Sequence, residues 1–180
     1  MTDTVSGLDI ATLVIAVAGL VTAAVSLSWQ VVVHRLTGSR VRVELVMGAL
    51  AGDAYVSGPA ATFDPASLIA QGFGPLVVGV RGRNVGRLAV DITHWDIYTG
   101  DGFGYTLPGY PLNPNLPHRL EPGSTVTFLY PIDHVRALIT SKAAIGKTDQ
   151  RIRGALSLGT GDVCHSDLVS PRGVTPADAG

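Results

Sequence analysis

A chain with a single cysteine cannot be held by an internal disulfide, and Cys164 is the only one among 180 residues. That excludes a disulfide-stapled scaffold and a cysteine-rich metal centre, and it favours a reducing compartment. Charge is also scarce. Asp, Glu, Lys and Arg make up 15% of the chain and nearly cancel, leaving a net charge of −1, whereas an ordinary domain carries about 25%. No overall positive field is present to draw in nucleic acid. Catalytic signatures are missing too. "AIGKT" at Ala144–Thr148 ends like a phosphate loop, but Ser141 stands where that motif needs glycine, and a helical pattern rather than a strand precedes it. Gly79, Gly82 and Gly86 miss the dinucleotide spacing and read as hairpin flexibility. No Gly-x-Ser-x-Gly elbow occurs. The expectation is a protein that is not an enzyme and uses no cofactor or metal.

Apolar residues, by contrast, are abundant at 46%, and mean hydropathy is +0.33. From Ile10 to Val33 no side chain carries a formal charge. As a helix that run is roughly 36 Å long, enough to cross a hydrocarbon core of about 30 Å. Only a helix satisfies its own backbone there, and Trp29 sits where an amphipathic ring prefers the headgroup region. A buried core helix would show one polar face. A cleaved signal peptide would open with basic residues, whereas Asp3 and Asp9 precede this run. A helix lying in the interface would need a charged face. The reading is a tail at residues 1–8 and a transmembrane helix at 9–36. Gly19 and Ala23, four apart, share a face that permits close helix packing and self-association. Arg35, Arg40 and Arg42 follow the helix. Basic flanks stay on the cytoplasmic side, which places the C-terminal domain there. The opposite topology, an envelope-facing sensor or structural domain, is the alternative.

A β-domain is expected over residues 40–169, close to the anchor. "VRVELVM" alternates strictly, with Val41, Val43, Leu45 and Met47 on one face. Residues 48–74 read as an irregular insertion, with a short helix starting at Asp64-Pro65 and anchored by Leu68 and Ile69. A β-meander follows: Leu76 to about Arg81, a turn at Asn84–Arg87 with Gly86 at positive φ, then Leu88 to Tyr98. Val90 and Ile92 share one parity and Trp95 and Ile97 the other, so a β-bulge near Thr93-His94 is needed to bring all four inward. Pro108, Pro111, Pro114 and Pro117 mark an extended crossing loop. Glu121-Pro122-Gly123 is a type II turn, "STVTFLY" is a strand, and residues 132–141 form a short helix. "RIRGALSL" and "DVCHSDLV" close a hairpin across Gly159-Thr160-Gly161. Residues 170–180 have the composition of a disordered tail. Six to eight short strands at this spacing imply an all-β fold, an immunoglobulin-like antiparallel β-sandwich with Trp95 central, preceded by one N-terminal transmembrane α-helix.

"VRGRNVGRLAVDITHWDI", "LPHRLEPGSTVTFLYPIDHVRALI" and "RIRGALSL" together resemble small actinobacterial membrane-anchored β-sandwich proteins of uncharacterised function, over about the last two-thirds of the chain. The resemblance implies a fold and an anchor, and it transfers no activity.

Two groups of side chains are candidates for an interaction surface. Tyr98, Phe103, Tyr105 and Tyr110 fall between the Trp95 strand and the proline loop, and aromatics are enriched at interfaces. Arg81, Arg83 and Arg87 lie around one turn and could touch anionic headgroups. Cys164 and His165 should face opposite ways, which denies them a shared metal. His94 beside the bulge, with Asp91 and Asp96 near it in sequence, leaves a small His/Asp enzyme as a further alternative. The leading expectation is a non-catalytic binding or accessory module at the cytoplasmic face, with the lipid bilayer and another protein as partners.

Overall fold

The computed structural model describes residues 7–37, 40–52, 54–105, 110–147 and 149–170. It divides into two units, Met1–Gly38 and Ser39–Gly180. The first unit is helix α1, Gly7–Thr37. Its stretch Ala11–Val33 has a mean hydropathy of 2.1 and is long and apolar enough to cross a membrane. Every side chain in that stretch is exposed. Thr22 and Ser28 return their hydroxyls to the carbonyls of Ala18 and Ala24, so their polar groups are satisfied within the helix. Among the described residues, no atom lies within 4 Å of where a Cβ on Gly19 would stand.

The second unit is mostly β, in two antiparallel sheets. One holds β1 (Val41–Ala51), β2 (Ala54–Pro59), β3 (Leu76–Asn84) and β7 (Thr125–Pro131), ordered β2-β1-β3-β7. The other holds β4 (Val90–Thr99), β5 (Gly104–Tyr105), β6 (His118–Leu120), β8 (Ile152–Leu158) and β9 (Val163–His165). Its order is β5-β4-β8-β9, with β6 also pairing β4. Two helices join them, α2 (Pro65–Ala70) and α3 (Ile132–Ala144).

Alternation decides which side chains meet between the sheets. Leu45, Met47 and Ala49 on β1, Val78 and Val80 on β3, and Phe128 and Tyr130 on β7 point inward. They meet Ile92, Trp95 and Ile97 from β4 and Ile152 and Leu156 from β8. The expected bulge is present: Ile92 lies opposite Leu158 and His94 opposite Ser157, so Thr93 is the extra residue. Its one-residue offset turns Trp95 inward, where the indole stacks on Tyr130 at 4.0 Å and on Phe128 at 5.4 Å between ring centroids. α3 adds Ile132, Val135 and Ile139 to the same core.

Several local expectations are corrected. Residues 48–74 are not one irregular insertion: β1 runs on to Ala51 and turns back as β2. The hairpin is half solvated and its composition is small, so no alternation marks it. α2 starts where expected, with Asp64 accepting from the Ala66 N–H at 3.2 Å, but Ile69 is 56% exposed and only Leu68 packs on the core. β3 and β4 do not form a meander. β3 pairs β1 and β7, and the chain then crosses to the other sheet. Gly86 does not adopt positive φ; instead its N–H donates to the side chain of Asn84 at 2.9 Å. Asn84 is fully buried and also donates to the carbonyls of Leu88 (2.8 Å) and Leu120 (3.0 Å). The crossing therefore rests on a side chain rather than on a glycine conformation. Gly123 does take positive φ, at 78°, as the type II turn requires. Gly82 marks close approach: a Cβ there would stand 2.5 Å from Leu156 Cδ1 of the opposing sheet. The tail expected at 170–180 lies outside the described residues beyond Ser170, as do residues 1–6 of the expected N-terminal tail.

Three substitutions should unfold the sandwich more easily, read as the denaturant midpoint of the full chain in mild detergent. Trp95→Ala should cost about 3–5 kcal/mol, and Gly82→Val about 1–3 kcal/mol through overpacking. Asn84→Ala, which strands the buried carbonyl of Leu120 and the part-buried carbonyl of Leu88, should cost about 2–3 kcal/mol.

Candidate functional site

Because the strands of the first sheet pair in register, its outward residues form rows. Arg42 on β1 lies opposite Arg83 on β3, which lies opposite Thr125 on β7. The next row is Glu44, Arg81 and Thr127. In that second row charge is balanced: Arg81 pairs with Glu44 at 3.2 Å and donates to Ser57 Oγ at 2.9 Å. The first row has no such balance. Arg42 and Arg83 are exposed and make no ion pair with any described residue. A groove of 680 Å³ runs past them, lined by Arg42, Val43, Glu44, Arg81, Arg83, Thr125 and Asp167.

The other outer face carries a polar cluster set by the bulge. Once Trp95 turns in, His94, Asp96 and Tyr98 turn out. Asp96 is 5% exposed. Its carboxylate lies 3.2 Å from His94 Nε2 and accepts from the Tyr98 hydroxyl at 3.1 Å. Partial burial and then the Asp96 charge raise the Tyr98 phenol above its ordinary value. His165 meets the Tyr98 ring edge-on at 6.3 Å. This histidine–carboxylate pair is the geometry that an enzyme reading would need, but it lies on a sheet face, away from the groove past Arg42 and Arg83. Among the described residues no group of three or more His, Cys, Asp or Glu could hold a metal ion.

The expected aromatic group is divided between the two sheets. Tyr98 belongs to the His94–Asp96 face. Tyr110 packs on the far side of the first sheet with Val46, Val77 and Leu129, held there by Asn113, which bonds both backbone groups of Leu129 (2.7 and 3.1 Å). Phe103 lies under Lys147, 5.4 Å from its ammonium. Tyr105 pairs with Ile97 through the backbone of β5. Of the arginines, Arg81 and Arg83 share the groove, while Arg87 sits exposed in the β3–β4 connection. Arg42 was missed because, from the sequence, it counts as part of the helix flank; the register that places it beside Arg83 is not legible there. Cys164 faces the core and His165 is exposed, on opposite faces as expected.

A second group of charges clamps α3. Lys142, 2% exposed, reaches Asp101 at 2.6 Å and the carbonyl of Asp149 at 2.6 Å. The bond from Lys142 lowers the Asp101 pKa, and Thr99 adds to it. Arg151 holds Asp149 down to about 2. These groups are matched, so the cluster is a latch and offers no open ligand position.

No protein-family model matches the chain, and no curated protein matches it. Among solved structures, a protein named ApaA from Bordetella pertussis aligns over 74% of this chain and 91% of its own, at 15% identity and a TM-score of 0.30. So loose a superposition adds nothing to what the strand order says.

The latch makes the fold sensitive to acid. Asp101 and Asp149 both titrate lower folded than unfolded, so their contribution is complete above the ordinary value of 3.8. It is lost as pH falls through the folded values. The urea midpoint should drop between about pH 4 and about pH 2, and Asp149→Asn should lower it at neutral pH while flattening that acid slope.

Proposed function

We propose that this chain is a single-pass membrane protein whose β-domain, of immunoglobulin-like type, is a non-catalytic binding or accessory module at the cytoplasmic face. The observation that carries the reading is α1. A 23-residue stretch without a formal charge, exposed along its whole length, is stable in hydrocarbon and unfavourable in water. The Trp29 belt position supports insertion, and the arginines after the helix support the orientation. The immunoglobulin-like assignment is supported by the connectivity. β1, β3 and β7 face β6, β4, β8 and β9, three crossings (β3 to β4, β6 to β7 and β7 to β8) carry the chain between sheets, and a buried tryptophan sits on a central strand. The resemblance to small membrane-anchored sandwich proteins points the same way. The binding role is supported by the unmatched arginines of the first sheet, which no fold requirement explains. Its partners would be the bilayer, a protein, and a second copy of the helix through Gly19 and Ala23.

The chain should stay in the pellet through an alkaline carbonate wash and leave it only with detergent. Recovery as a monodisperse particle in detergent-free supernatant would remove the anchor. Orientation needs an exposed probe, because Cys164 packs against the core and burial, with Asp162, raises its pKa, which lowers the fraction present as reactive thiolate. Ala143 is exposed on α3. In a Cys164→Ala chain, Ala143→Cys should resist an impermeant maleimide in intact cells and react after permeabilisation. Labelling of intact cells would favour the opposite topology.

A further inference from the structure

We propose that the row Arg42–Arg83–Thr125 is a binding site for a phosphate group carrying net negative charge. This names the ligand chemistry of the Arg83 face and rests on the binding role proposed above, but not on the anchor or its orientation.

The site follows from strand register. Directly opposite residues on antiparallel strands hold their Cβ atoms about 4.5–5.5 Å apart, and like charges so placed destabilise the pair. Arg42 and Arg83 are such a pair. The neighbouring row shows how this sheet satisfies an arginine when it needs to: Glu44 stands opposite Arg81 and bonds it, and Ser57 takes a second N–H. Glu44 is thereby committed to Arg81. The guanidiniums of Arg42 and Arg83 bond no described carboxylate, so their juxtaposition costs stability in the empty protein and that cost is relieved by an anion.

The chemistry of the anion follows from the donors. One arginine fork already satisfies a carboxylate with its two oxygens. Two forks on directly opposite residues, with Thr125 next in the same row, suit a group with more acceptor oxygens and more charge, and phosphate is a group that arginine recognises. The groove beside the row, 680 Å³, leaves room for the remainder of a phosphate-bearing molecule. Asp167 also lines the groove and, by its charge, opposes an anion. It limits affinity, so removing its charge should tighten binding. The phosphate could belong to a lipid headgroup or to a soluble phosphate ester, and the chemistry of the row is the same for both.

The test uses the full chain in mild detergent and follows its thermal midpoint, because a ligand that binds only the folded state raises that midpoint with concentration. The probes are inorganic phosphate and dihexanoyl phosphatidic acid, with sodium chloride at matched ionic strength and dihexanoyl phosphatidylcholine as controls. A rise with phosphatidic acid alone assigns a lipid headgroup, and a rise with inorganic phosphate as well assigns the phosphate group by itself. Arg42→Gln or Arg83→Gln should weaken the response roughly tenfold or more. Neither should lower the midpoint without ligand, since each removes a like-charge repulsion. Arg87→Gln removes the same charge from outside the groove and should leave the response unchanged, while Asp167→Asn should strengthen it. The proposal is overturned if neither phosphate probe exceeds its control, or if the rise survives in both groove variants. It is equally overturned if Arg87→Gln weakens the response as much as they do, which would mean net charge alone. None of these outcomes depends on membrane insertion, so the site can fail while the anchor stands.

Discussion

The sandwich depends on one aromatic stack. Trp95 comes from one sheet, Phe128 and Tyr130 from the other, and all three are buried. Rings of this size each bury on the order of 150–250 Å², so in a domain poor in aromatics they supply much of the attraction between the layers. Their meeting depends in turn on Thr93. With period-two alternation a strand cannot place Ile92 and Trp95 on the same face, and the extra residue restores both. The close approaches at Gly82 under Leu156 and Gly154 under Val80 let the sheets settle onto that stack.

The same offset has a polar consequence. Every residue after Thr93 exchanges faces, so His94, Asp96 and Tyr98 emerge together on the outside. Asp96 ends up almost covered, with a histidine and a phenol on its two oxygens. A buried carboxylate needs such partners, and the trio is explained by that need without invoking catalysis. The latch of Lys142 and Asp101 follows the same rule at the end of α3, where a lysine that is 2% exposed is paired with a carboxylate.

The arginine row of the first sheet is exposed and lies outside that rule. In the sandwich Arg81 is answered by Glu44, Lys142 by Asp101 and Asp149 by Arg151, while half-buried Arg153 keeps its Nε without a hydrogen-bond partner. Arg42 and Arg83 are placed side by side and form no ion pair with a described residue, although Glu44 and Asp167 line the same groove. A protein with so few charges has left two like ones adjacent, on a solvated face where glutamine or threonine would fold equally well. The proposed phosphate site rests on this juxtaposition.

From the sequence alone one could read the uncharged helix, because absence of charge over that length has a single physical solution in lipid. The bulge, the type II turn at Gly123 and the start of α2 at Asp64 were legible for a similar reason: each is written in residues adjacent along the chain. What the sequence could not show is pairing between segments far apart. The β1–β2 hairpin was hidden because its partners are small and half solvated, so no alternation announced it. The passage of the chain from β3 across to β4 was hidden because Asn84 acts through carbonyls, one of them 36 residues away. The arginine row belongs to that second kind. Arg42 and Arg83 are ordinary surface residues along the chain, and only the register between their strands makes them neighbours.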